Sequence, residues 1–142
     1  MVIQSTIQAG AADAAPERAF SLPEFDEEFL DANYPGWQTI RDGATPWLIL
    51  NNFPIPEGYS HRQVQAAILI PSGHPNAPLD MVYFFPALSR TSGRPIAALA
   101  SQPIAGKLWQ RWSRHYRWRP GIDDLVTHTE RIKAWLGEQL SR

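Results

Sequence analysis

The chain has 142 residues, a formal net charge of −1 and no cysteine, with 44% hydrophobic and 11% aromatic residues. That length supports one domain able to bury a core without metals or disulfides. The absence of sulfur nucleophiles excludes disulfides, thiolate metal sites and thiol catalysis. No run approaches the roughly 18 apolar residues of a membrane span, and the first residues show no basic start followed by an apolar stretch, so the reading is no membrane, no secretory signal and, by default, a cytoplasmic protein.

Residues 1–20 are rich in Ala and Gln, contain Gly10 and keep no period; they read as a flexible leader to one domain over 21–142. Ser21, Pro23 and Glu24 form a helix-start pattern, with Ser21 as cap and Glu24 placed as in a capping box. Phe25, Phe29 and Leu30 then share one helical face opposite Glu27, Glu28 and Asp31, and Pro35-Gly36 stop the helix near Asn33. Strand-like runs follow at 37–41, 47–53, 64–70 and 81–85. They are parted by the turn signal Asp42-Gly43, by two prolines within 54–58, and by the loop 71–78, PSGHPNAP. After Pro86 the periodicity lapses over a stretch longer than an ordinary connection. Last, Asp123 is placed to cap a helix on which Leu125, Thr129, Ile132, Leu136 and Leu140 recur at helical spacing. The expectation is an α+β domain: an N-terminal helix, a four-stranded antiparallel meander, a long irregular segment and a C-terminal helix, with the helices on one face of the sheet.

Charge is unevenly spread. Residues 1–42 carry eight acids against two bases, and residues 43–142 six acids against eleven bases. The block 107–119, KLWQRWSRHYRWR, holds five bases, three tryptophans and no acid. Cations among aromatic rings suit either a packed knuckle or a binding face. Its basic run reads either as a phosphate-contacting face with stacking aromatics or as a solvated face near the acidic first helix. The overall pI near 6.4 makes nucleic acid the minor reading.

The order of elements resembles the ubiquitin-conjugating enzyme (UBC) fold. The proline loop 71–78, followed by the strand-like MVYFF, matches that family's signature loop, with His74 where tyrosine usually stands. More narrowly, Pro56-x-Gly58-Tyr59, Pro78-x-Asp80-Met81, Trp109-x-x-Trp112-Ser113-x-His115 and Trp118-Arg119-Pro120-Gly121-x-Asp123-Asp124-Leu125 are similar to the bacterial branch known as prokaryotic UBC-like family E. The resemblance covers residues from about 22 to the end. It implies a gene neighbourhood with ubiquitin-like proteins, an activating enzyme and a metal-dependent deubiquitinase-like peptidase. It also implies that His115 is the histidine this branch carries beyond the usual cysteine position, and that Trp109 stands at or next to that position. A conjugating enzyme holds its cargo as a thioester, which needs a thiolate, so the expected role is non-catalytic. His74-Pro75-Asn76 spells the family's oxyanion tripeptide, but it precedes the fourth strand instead of following it and reads as coincidence.

The candidate binding residues are therefore Trp109, Trp112, Arg114, His115, Tyr116 and Trp118, together with His74 of the proline loop. His115 reads either as a general base or ligand contact, or as a hydrogen-bonded residue fixing the loop. The tryptophans read either as a recognition surface or as core packing, with packing favoured for Trp112 and Trp118 and a filled former active site for Trp109. Asp124 and His128 lie one helical turn apart, yet capping explains the acids better than a metal does. No metal and no cofactor are expected. The predicted function is to bind a ubiquitin-like protein or its activating enzyme. The alternatives are an enzyme using His115, with Asp123 or Asp124, for non-thioester acyl or hydrolytic chemistry, and a single-stranded nucleic-acid binder.

Overall fold

The computed structural model describes residues 15–142, so the expected leader lies outside it up to residue 14. In chain order its elements are α1 (Glu24–Asn33), β1 (Gln38–Asp42), β2 (Thr45–Pro54), β3 (Gln63–Leu69), β4 (Val82–Phe85), β5 (Leu99–Ile104), β6 (Lys107–Trp112) and α2 (Leu125–Leu140). All six strands join one antiparallel sheet in the order β1-β2-β3-β4-β6-β5. The α+β class stands, but the sheet does not stop at four strands. The stretch expected to be irregular contains a hairpin whose second strand pairs with β4.

That hairpin has a local cause. Ala105 and Gly106 both take positive φ, 48° and 81°, the pattern of a two-residue turn whose twist suits antiparallel strands. Pro103 tolerates its strand position because β5 is an edge. Ser113 N donates to Ala98 O at 3.1 Å, and the β5–β6 register then turns Ala100, Gln102 and Ile104 towards β6. The polar backbone groups of Leu99, Ser101 and Pro103 point away, where a missing N–H costs nothing.

Both faces of the sheet are buried. One carries Leu48, Leu50, Ala66, Ile68, Val82, Phe84 and Trp112 against the helices. The other gathers Trp47, Ile49, Ala67, Tyr83, Ile104 and Trp109 into a second cluster. The sheet curls over this second face: Ala105 N, in the last turn, donates to Asp42 Oδ2, at the end of β1, at 3.1 Å. Beyond β1, Thr39 N donates to Glu17 O and Ala19 N to Thr39 O, so residues 17–19 run along that edge.

The helices differ from expectation by small rotations. Pro23, not Ser21, occupies the N-cap of α1 and makes no side-chain cap. Glu27, not Glu24, reaches back, accepting from Leu22 N at 2.9 Å. Asp26 and Leu30 face inward and Phe25 is 61% exposed. In α2 the cap is Asp124, not Asp123: it accepts from Thr127 N while Thr127 Oγ1 accepts from Asp124 N, a reciprocal capping box. Leu125, Thr129, Ile132 and Leu136 are buried as the spacing predicts, joined by His128 and Trp135. The motif Pro56-x-Gly58-Tyr59 docks this helix: Tyr59 Oη donates to Leu136 O at 2.6 Å, and a Cβ on Gly58 would meet Leu140 at 2.8 Å. No helix among the described residues is long and apolar enough to cross a membrane.

Candidate functional site

The aromatic and basic block divides in two. Residues 107–112 are strand, so side chains alternate, and Trp109 and Trp112, three apart, enter opposite clusters. Trp112 is fully buried, its ring edge-on to Phe84 at 5.5 Å. Trp109 is 4% exposed, its ring centre 5.5 Å from that of Phe85, with an indole N–H that has no hydrogen-bond partner among the described residues. The residue that the resemblance sets at or next to the nucleophile position is thus a ring filling a strand interior.

Residues 113–119 leave the sheet and lie beside the segment 75–81. Met81 N donates to Arg114 O at 3.1 Å and also to Asp80 Oδ1, in a left-handed turn with φ 56° at Met81. This brings His115 onto Asp80, with its Nδ1 at 2.9 Å from both carboxylate oxygens. The pair stands in the open, its side chains 67% and 43% exposed. With Nδ1 committed to the carboxylate, Nε2 is the nitrogen left for a ligand. Three residues on, Trp118 Nε1 donates to Pro75 O at 3.0 Å, joining the block to the proline loop.

Beneath this surface lie two buried histidines. His74 is enclosed, its Nε2 2.7 Å from Asp26 Oδ2, while Asp26 Oδ1 accepts from Leu125 N at 3.3 Å. His128 Nε2 meets the Met81 carbonyl at 3.0 Å, which fixes the proton on that nitrogen, so Nδ1 accepts from the Tyr116 hydroxyl at 2.8 Å. Burial raises the Tyr116 pKa well above a free phenol, keeping its hydroxyl a donor.

Of the residues singled out in the sequence, then, Arg114, His115, Tyr116 and Trp118 retain exposed surface. Burial takes Trp109, Trp112 and His74 out of any direct contact with a partner, and it places all three as supports. Trp118 is half-buried against Tyr116 and His74. Arg114 lies over the Trp112 ring at 4.9 Å and donates to Ala97 O and Gln139 Oε1. The basic run engages its own surroundings, not the acids of α1. Arg119 binds Asp123, and Lys107 sits 4.8 Å from the Phe85 ring centre.

The carboxylate paired with His115 is Asp80, not Asp123 or Asp124. Burial alone would raise the Asp123 pKa, but hydrogen bonds from the Arg119 side chain and backbone outweigh it and hold that carboxyl below its usual value. Asp124 is occupied as a cap, and both nitrogens of His128 are engaged. No group of three or more metal-ligating side chains occurs among the described residues. Asp80, Asp26 and Gln110 are the structurally decisive side chains that the sequence did not reveal; Asp80 lies within a quoted motif, but its partner is 35 residues away.

Across the chain, the model of the family described as prokaryotic E2 family E matches residues 22–139. No curated protein and no solved structure matches. The matched span takes in α1, all six strands and α2 but for its last residue, and far exceeds half of the sequence. The chain therefore belongs to prokaryotic E2 family E, a bacterial family related to the ubiquitin-conjugating enzymes.

Proposed function

We propose that this chain works by contact in a bacterial ubiquitin-like pathway, binding a ubiquitin-like protein or its activating enzyme without carrying cargo. The observation that most supports this reading is the absence of cysteine from the chain, combined with the burial of Trp109 in β6. A thioester needs a sulfur, and this chain has no thiol to hold the activated tail. The docking surface of this reading is the ridge made by Asp80, Arg114, His115, Tyr116 and Trp118 beside Pro75. It is open, aromatic and cationic, and it is braced from below by Trp112, His74 and His128. Rigid aromatic and arginine anchors on a packed support are what protein interfaces use. Purified chain should retain a ubiquitin-like protein or activating enzyme from the same cell, and His115→Ala with Trp118→Ala should weaken that binding about tenfold or more. Folded protein that binds neither would remove the reading.

A second reading draws on the Asp80–His115 contact. A carboxylate holding one imidazole nitrogen leaves the other placed as a base, the arrangement used in hydrolytic sites. On this reading Asp80→Asn and His115→Ala each abolish a non-thioester acyl transfer or hydrolysis while the melting temperature stays within about 2 °C. A turnover indifferent to both changes would dismiss it. The nucleic-acid reading keeps only Tyr116 and Trp118 as partly exposed rings of the block for stacking, because Trp109 and Trp112 are buried.

A further inference from the structure

The two edges of the sheet are unlike. Residues 17–19 cover β1, whereas among the described residues β5 pairs with β6 alone. By the register given above, the outer side of β5 presents two free N–H donors, at Leu99 and Ser101, and three acceptors, at Leu99, Ser101 and Pro103, the last also meeting Gln102 Nε2 at 3.5 Å. Exposed edges are ordinarily blunted by a lysine, a bulge or a covering segment. Here β5 has no charged residue, and only Pro103, near its far end, interrupts it. Apolar surface lies beside it: Leu108 is 62% and Leu99 39% exposed, at a cavity of about 320 Å³ that Ala87 also lines. Along the chain from β4 to α2 the charge is of one sign, and the carboxylate that meets the hairpin is Asp42, at the β5–β6 turn. Between Asp80 and Asp123 the sequence contains no acid, yet it carries seven bases, among them Arg94, Lys107 and Arg111.

We propose that the outer edge of β5 is a strand-addition site for an extended acidic segment of a partner protein. The added strand takes its backbone bonds from Leu99, Ser101 and Pro103. Alternate apolar side chains lie on the Leu99 and Leu108 face, and the acids between them fall on the face that carries Lys107 and Arg111. The site does not depend on the role of His115.

The full chain is titrated with a labelled ten-residue peptide of alternating valine and glutamate, with a valine and lysine peptide as control. Saturable binding of the first peptide alone, with slowed amide exchange at Leu99 and Ser101, is the expected result. Ser101→Pro removes one outward donor without touching the β6 ladder, and Leu108→Glu sets a like charge beside the groove. Each should weaken binding about tenfold or more, with the melting curve checked for both. The proposal is overturned by equal binding of the two peptides, by binding unchanged in both folded variants, or by no binding at all. It is equally overturned if Leu99 and Ser101 are already protected in a peptide-free dimer, which would make a second copy the occupant.

Discussion

His128 and His115 stand on either side of Met81 and show how depth alone separates two imidazoles. His128 has no exposed surface, and burial pushes its pKa from 6.5 down to about 4, against the Met81 carbonyl, which favours the protonated ring. Between those two values the unfolded chain takes up a proton that the folded chain refuses, so stability falls as pH drops from 6.5 to 4; above pH 6.5 this contribution is fully present and constant. The gap corresponds to about 3 kcal/mol lost by pH 4. Urea unfolding at several pH values checks this, and His128→Gln should flatten the slope relative to the parent chain; an unaltered slope would place its origin in other groups. His115 lies at the surface. Its bonds to Asp80 are well formed but largely in water, so His115→Ala should change stability by less than about 0.5 kcal/mol. A loss of partner binding in that variant would then report the surface itself. A large drop in unfolding midpoint would instead make His115 structural.

At the scale of elements, the β5–β6 hairpin depends on one turn and one clamp. Ala105 is held at φ 48°, where a Cβ is unwelcome. Ala105→Asn, better suited to that conformation, should stabilise the chain by about 0.5 kcal/mol, readable as a higher urea midpoint at unchanged slope. Gln110 holds the segment that leads into the hairpin. Its Nε2 donates to Leu88 O, and its Oε1 accepts from both Leu88 N and Trp112 Nε1. Gln110→Ala strands two donors and should cost about 3 kcal/mol, with the Leu88 amide exchanging faster than the parent's; slow exchange there would show that the segment is held by something else. This hairpin is also where the sequence was hardest to read. The helices and the earlier runs declare themselves because apolar residues recur at helical spacing or in unbroken stretches. In β5 the outward residues Leu99, Ser101 and Pro103 meet solvent and keep no hydrophobic period. In β6 Trp109 and Trp112 serve two different cores, so neither spacing describes them. The position of His115 in the block was legible, but its pairing with Asp80 was not, because that contact depends on how two loops meet after folding. The inward turn of Asp26 was missed because the apolar face was phased on Phe25, whereas Asp26 lies about 40° from Leu30 around the helix and Phe25 about 140°.

For the whole molecule, the decisive contact is the place where three segments meet at one carboxylate. Asp26 extends from the first turn of α1, binds His74 of the proline loop through one oxygen and accepts from the first amide of α2 through the other. The side chains of Asp26 and His74 are 2% and 1% exposed, so neither can turn to water when the other is removed. Replacing a buried pair with apolar groups is often tolerated, whereas breaking one side of it leaves an unpaired polar group in a dry site. Asp26→Ala should therefore cost about 3 kcal/mol or more and lower the melting temperature by about 10 °C. His74→Leu alone should be costly as well, and the double variant should cost clearly less than the two singles added together, because the orphaned partner is then gone. The proline loop and α2 bear the ridge at Pro75, His115 and Trp118 through Trp118 Nε1 and the Tyr116–His128 bond. The same Asp26→Ala change should thus weaken partner binding even though Asp26 is itself buried. Strictly additive losses in the double variant, or intact binding in a folded Asp26→Ala chain, would show that the ridge is held without this carboxylate.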